Sequence, residues 1–357
     1  MADFVEPTLG FGGAFNTPAD IKHDPLNPDW EVPTPINLVV RLTRKQREKR
    51  VERLVEMAYA RHEEAMRTHC ADKNIVAVCP LVSGGNDSYT VARLFRDIAT
   101  HLVHANTGTG IEATRQHVRN TAKAWGLPLL EMHGKPDAGY DDLVRGTVMG
   151  ISKETGELVQ SWPGGFPGPA AHHIMYTRLK ERGLSQIPHL FGISRSRTDR
   201  VVFIAGRRRA ESEVRKNVPH SEARGTTIWS SPITVWHKAD LRAYRLMVGD
   251  VPLNPVAQRL GMSGECGCLA NAKQGERERW IEAYPDDPFI LRMLALEEEI
   301  KDRPDIDPRR KTWGNGWLAD HEERSEGGLI CGKDCGPDPL LDLMDPLFEL
   351  EGSEWAA

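Results

Sequence analysis

The densest chemistry in the chain lies in Ser83-Gly84-Gly85-Asn86-Asp87-Ser88. Two glycines let a ligand approach the backbone closely, because a Cβ would stand in its way. Successive backbone N–H groups around such a turn, together with the N-terminus of a following helix, make a seat for phosphate. It is not the Walker loop, whose spacing and lysine are missing. A plain Gly-rich turn between a strand and a helix is the other reading. A second group, Gly206-Arg207-Arg208-Arg209-Ala210-Glu211-Ser212-Glu213-Val214-Arg215, offers planar cations that grip phosphate or sulfate through paired N–H donors. Arg207, Arg208 and Arg215 are the candidates, with Arg195, Arg197 and Arg200 upstream extending the positive field. A basic surface loop is the alternative. The third group is sulfur. Cys266 and Cys268 lie in one glycine-flanked loop, and Cys331 and Cys335 in another. Four thiolates from two such pairs can converge on a 4Fe–4S cluster or on tetrahedral zinc. A redox-active thiol set without metal stays open as a third reading. Cys70 and Cys79 read as apolar packers, Cys79 lying inside a strand.

These groups need a scaffold, and the apolar pattern provides one. Residues 75–82, 101–105, 127–132 and 201–205 read as strands, with helices predicted over 89–98 and 112–125. Strands alternating with helices predict βαβ units, hence an α/β fold: a parallel sheet with helices on both faces. Ligands in such sheets sit beyond the carboxyl ends of the strands. The 83–88 loop and Asn106-Thr107-Gly108-Thr109-Gly110 both fall at that edge. Ahead of the sheet, residues 43–69 predict a charged helix. Its basic start (Arg41, Arg44, Lys45, Arg47, Lys49, Arg50) reads as a solvated face or a nucleic-acid contact. Residues 134–170, rich in glycine and proline, read as an insertion or lid. His172 and His173 are adjacent on a helix and face different ways, which suits one packed and one solvated ring better than a metal pair. Trp236 and Tyr244 read as packing residues, and Asp240 as a helix cap or orienter.

The 83–88 stretch resembles the S-G-G-x-D-S pyrophosphate loop of the adenine-nucleotide alpha-hydrolase-like (PP-loop) group. That group holds ATP pyrophosphatases, sulfur-transfer enzymes and phosphoadenosine phosphosulfate (PAPS) reductases. Further segments follow in that group's order over about residues 74–275. A Thr-Gly pair ends a strand, with Thr107, Gly108, Glu112 and Thr114 at matching positions; Glu112 and Thr114 equally suit the start of a helix. The arginine loop is next, then Pro232, Trp236 and Asp240, and finally an Asn-Pro segment running to Cys266. Tyr176 stands where many relatives carry a cluster cysteine. The resemblance implies nucleotide binding by Ser83, Gly84, Gly85, Asn86, Asp87, Ser88, Thr107, Gly108, Glu112 and Arg208. It implies catalytic roles for Asp87, Ser88, Arg207 and Arg215, with ATP or PAPS as nucleotide, Mg²⁺ assisting, and Cys266, Cys268, Cys331 and Cys335 holding a 4Fe–4S cluster, or zinc in its place.

Three functions follow as expectations. The first is an ATP-dependent enzyme that adenylates an acceptor with release of pyrophosphate, coupled to sulfur transfer. The second is a PAPS or adenylylsulfate reductase, although the nucleophilic cysteine near the C-terminus of those enzymes is missing from Gly352-Ser353-Glu354-Trp355-Ala356-Ala357. The third is a non-catalytic nucleotide or nucleic-acid binding protein. With 357 residues the chain can bury an ample core. Its net charge of -5 excludes a generic polyanion binder. No apolar run is long enough to span a membrane, and no signal core opens the sequence, so a cytoplasmic protein is expected. The expected organisation is an N-terminal arm and charged helix (1–72), a PAPS reductase-like nucleotide-binding domain (73–275) and a C-terminal extension (276–357). Expected partners are an adenine nucleotide, a sulfur donor protein, a nucleic-acid acceptor and a second copy in a homodimer.

Overall fold

Alternation of apolar side chains builds the sheet. The computed structural model describes residues 23–316, apart from 136–138, 153 and 212–214. The strands among them are β1 (Asn74–Pro80), β2 (Leu102–Asn106), β3 (Leu129–His133), β4 (Met149–Ile151), β5 (Leu158–Gln160), β6 (Asp199–Ile204), β7 (Ser221–Arg224) and β8 (Thr227–Ser230). β1 pairs in parallel with β6, and β6 in parallel with β8; β7 closes that edge antiparallel to β8. β2 and β3 pair in parallel. A single parallel bridge between Leu81 and Val103 sets β2 beside the end of β1. Across the molecule the order is therefore β3-β2-β1-β6-β8-β7. The chain leaves β1 on one side for β2 and β3, and returns on the other for β6 and β8. The crevice at the carboxyl ends of β1 and β6 is the switch point where such sheets receive ligands. β4 and β5 form a separate antiparallel hairpin.

Helices cover both faces. Val202 and Ile204 pack with Leu54, Tyr89, Val118 and Leu241, which come from helices Arg44–Cys70, Asn86–Leu94, Glu112–Trp125 and Lys238–Val248. Val201, Phe203 and Ala205 point the other way, with Ala77 and Cys79, toward Leu184, Ile187 and Ile193. The two-residue period of a strand divides β6 between two cores in this way. A third cluster joins Tyr140 and Phe166 to Trp280, Phe289 and Trp313. As the packing reading expects, Trp236 is fully buried, and its ring meets Tyr244 edge-on at 5.9 Å. His172 is buried and His173 exposed. The helix predicted there is broken, His172–Tyr176 passing into a π-helical segment, Thr177–Glu181.

Two readings of basic residues need correction. Arg50 is fully buried and bidentate to Asp240, at 2.8 and 3.1 Å, with Thr34 Oγ1 and Pro25 O accepting from Nη1. It is neither a solvated cation nor a nucleic-acid contact. Asp240 caps its helix by accepting the His237 N–H (2.9 Å), and a carboxylate buried there needs a countercharge. Arg195, Arg197 and Arg200 stand where β6 begins. A strand of six residues runs roughly 20 Å, so they lie at the edge opposite the site and do not extend its field.

Burial also sets an acid limit. His62 and His172 are both pushed down to about 4, chiefly by burial, with Lys180 adding to the effect on His172. The unfolded chain protonates such rings near about 6.5. Both then lend stability that is full above that pH and lost as pH falls through about 4. Thermal melts between pH 7.5 and pH 4 are expected to show a progressive loss, and His62→Gln to flatten part of it.

Candidate functional site

β1 gives way to the 83–88 turn, which leads into helix Asn86–Leu94. Gly84 has φ +79°, and a Cβ there would lie 2.6 Å from Thr114 Cγ2, so glycine is required on both counts. Gly85 is the N-cap and brings no capping oxygen. The first-turn N–H groups and the positive end of the helix dipole are thus suited to an anion. Ser88 closes the turn: its Oγ donates to Gly85 O (2.8 Å) and accepts from the Ser83 N–H (3.1 Å). Asn86 Oδ1 accepts from Arg245 Nη2 at 2.6 Å.

The loop after β6 closes on this turn. A Cβ on Gly206 would sit 2.6 Å from Asp87 O and 3.0 Å from Ser88 N, so only glycine allows the approach. Arg208, 3% exposed, sets Nη2 3.0 Å from Asp87 Oδ2. Burial opposes its charge, but Asp87 and Glu211 more than offset it. Its Nε has no hydrogen-bond partner among the described residues. Arg215 pairs with Glu211, whose carboxyl burial pushes up despite the Arg215 charge. Arg207 is engaged elsewhere: Nε donates to Ser231 Oγ and Nη1 to Glu222 Oε1, both at 2.8 Å, and its guanidinium lies over Trp229 at 5.1 Å. The geometry therefore gathers Asp87, Arg208, Glu211 and Arg215 at the loop and ties Arg207 to the β7 and β8 side.

On the other flank, the 107–110 turn is strapped by residues 263–267. Ile111 N–H donates to Gly264 O and Gly267 N–H to Thr109 O, both at 2.8 Å. Glu265 is buried between them. Its Oε1 accepts from the Thr107 N–H (2.8 Å) and Oγ1 (3.0 Å), while Oε2 faces His104 Nε2 at 3.4 Å. Burial would raise the Glu265 carboxyl, yet His104, the Thr107 N–H and Arg115 together hold it below the usual range. Gly108 N–H donates to Asn106 Oδ1 (2.9 Å). Glu112 sits apart in an ion network with Arg115 (3.0 Å) and Arg119 (2.8 Å), the latter also pairing with Glu131. Beside the strap lies a small cleft, with a cavity volume of about 20 Å³, lined by Thr107, Thr109, Tyr176, Lys180 and Cys266, among others.

The metal expectation is overturned. Among the described residues, no three His, Cys, Asp or Glu side chains form a group able to hold a metal ion. Cys266 Sγ instead accepts from Lys180 Nζ at 2.9 Å. Cys268 is buried, and burial pushes its thiol up to about 12, which disfavours the thiolate a metal needs. Cys331 and Cys335 lie outside the described residues. The expected 4Fe–4S cluster and the zinc alternative are withdrawn. Cys79 and Cys70 are buried with their thiols raised by burial, Cys79 to about 12, in keeping with a packing role.

Three residues with a place in the site were not picked out from the sequence, Lys180, Arg245 and Glu265, and Asn254 was noted only as the start of the Asn-Pro segment. Asn254 precedes a proline at a helix start, a legible capping signal. The contacts that bring the other three to the loops span long separations and leave no local pattern.

No protein-family model matches the chain, and no curated protein matches it. Among solved structures it is similar to the phosphoadenylyl-sulfate (PAPS) reductase from Candida auris in its phosphate complex. Identity there is 15%, over 61% of this chain and 92% of that one, with a TM-score of 0.37. It is also similar to the U34-tRNA thiolase NcsA from Methanococcus maripaludis with its 4Fe–4S cluster: 10% identity, 83% of this chain, 89% of that one, TM-score 0.35. Likeness at this level carries no functional weight. No helix among the described residues is long and apolar enough to cross a membrane.

Proposed function

We propose that the chain is an enzyme that binds ATP by its phosphates on the 83–88 loop and adenylates an acceptor. The observation that carries this reading is one arrangement: a glycine turn, an uncapped helix N-terminus, and Arg208 buried 3.0 Å from Asp87 at the switch point of the sheet. An acceptor oxygen attacks the α-phosphorus, the bond to the β,γ-phosphates breaks, and pyrophosphate leaves with the electron pair. The protein's part is to position the phosphates and neutralise the charge that develops. Arg208 and Arg215 face the departing phosphates, and Asp87 orients Arg208. A sulfur nucleophile then attacks the adenylated acceptor and displaces AMP.

The test is to incubate the full chain with ATP and candidate acceptors, including oligonucleotides and small oxygen nucleophiles, and to identify the products. AMP-linked acceptor with pyrophosphate supports the reading. ADP with inorganic phosphate, or no turnover with any acceptor despite ATP binding, contradicts adenylation.

A further inference from the structure

Asn254 is 1% exposed and uses its two ends for different tasks. Its Oδ1 accepts the Val256 N–H (3.1 Å) and so caps helix Pro255–Leu260. Its Nδ2 lies 3.0 Å from Gly84 O, 3.1 Å from Thr114 Oγ1 and 3.2 Å from Ser263 O. The capping bond fixes which end is oxygen and which is nitrogen, so the donor end faces the loops. Those three acceptors belong to three separate segments: the 83–88 turn, the start of helix Glu112–Trp125, and the strap that holds the 107–110 turn. Thr114 closes the set by donating to Ser263 O at 2.8 Å. Gly84 is the residue at φ +79°, so its carbonyl direction sets where the next N–H groups of the turn point. A carbonyl buried without a donor would turn to find one.

We infer that Asn254 is a positioning residue for the phosphate seat, holding the Gly84 peptide in the orientation that aims the turn at the nucleotide. The inference rests on the reading of 83–88 as a phosphate loop. It deepens that reading by assigning the loop's geometry to a side chain 170 residues away. The strap is shared, so the same amide also registers the 83–88 turn against the 107–110 turn.

Asn254→Asp separates the two tasks. Aspartate keeps the capping acceptor and is as good an N-cap as asparagine. It replaces the donor by a carboxylate oxygen facing three oxygens, which removes the tie and adds repulsion. The full chain with Asn254→Asp is expected to bind ATP about 10- to 100-fold more weakly, the range for a lost buried hydrogen bond with an unpaired partner. Adenosine, which carries no phosphate, is expected to bind as it does to the unaltered chain. Asn254→Ser, which keeps a cap but cannot reach Gly84, serves as the second variant if the aspartate fails to fold. Titration calorimetry with ATP and with adenosine, alongside thermal melts, reads the result. ATP affinity unchanged in a folded variant overturns the inference, and so does an equal loss for ATP and adenosine. Failure of the unaltered chain to bind ATP would instead bring down the phosphate-loop reading itself.

Discussion

Arg208→Gln is expected to weaken ATP binding by about 100-fold while the chain stays folded. Arg208 is buried and charge-paired with Asp87 at 3.0 Å, yet its Nε has no hydrogen-bond partner among the described residues. A buried guanidinium with an unused donor beside a helix N-terminus is poised to take an anionic oxygen. A charge-assisted hydrogen bond of this kind is worth about 1.5–3 kcal/mol, which corresponds to the expected loss. Glutamine can keep one hydrogen bond to Asp87 but cannot supply the positive charge. Arg208→Lys is expected to recover little, because a single ammonium does not reproduce the planar fork. Titration of ATP into the variant, with a melt to confirm folding, checks this. Wild-type affinity in a folded Arg208→Gln chain would remove Arg208 from the site.

Arg50→Met is expected to lower stability by about 3–5 kcal/mol, the cost of leaving a buried carboxylate without its partner. For a chain of this size that amounts to a fall of roughly 5 °C in Tm. The pair is bidentate, and Asp240 is 2% exposed, so solvent cannot replace the lost charge. Asp240→Leu added to Arg50→Met is expected to restore much of the loss, because a matched apolar pair leaves no buried charge. Melts followed by circular dichroism decide it: a shift of only a degree or two would mean that the pair contributes no more than a surface bridge.

How far the sequence could be read follows from where each signal resides. β1, β2, β3 and β6 lie where apolar runs predict strands, because each crosses a core and must alternate or stay apolar. β8 was missed. Thr227-Ile228-Trp229-Ser230 is four residues long, and its polar ends are buried by position in the sheet rather than by type. The 83–88 turn was legible because glycine and small polar residues are required locally. Arg208 was legible as one of a cluster, but not as the member that meets Asp87; Arg207, equally prominent in sequence, is engaged by Glu222 and Ser231. Arg50 illustrates the opposite error. Nothing in a basic helix start reveals that one arginine faces inward to an aspartate 190 residues on. The cysteines mislead for a related reason, since spacing says that thiols can meet but not which other groups they pair with. Lys180 stands beside Cys266.

The central claim is that the chain seats a nucleotide by its phosphates. Titration calorimetry of the full chain with ATP, and separately with adenosine, tests it most directly. The account predicts one ATP per chain and an affinity for adenosine lower by at least about 100-fold, the two phosphate-facing elements being the helix N-terminus and Arg208. Equal affinity for the two ligands, or no binding of ATP, would contradict it.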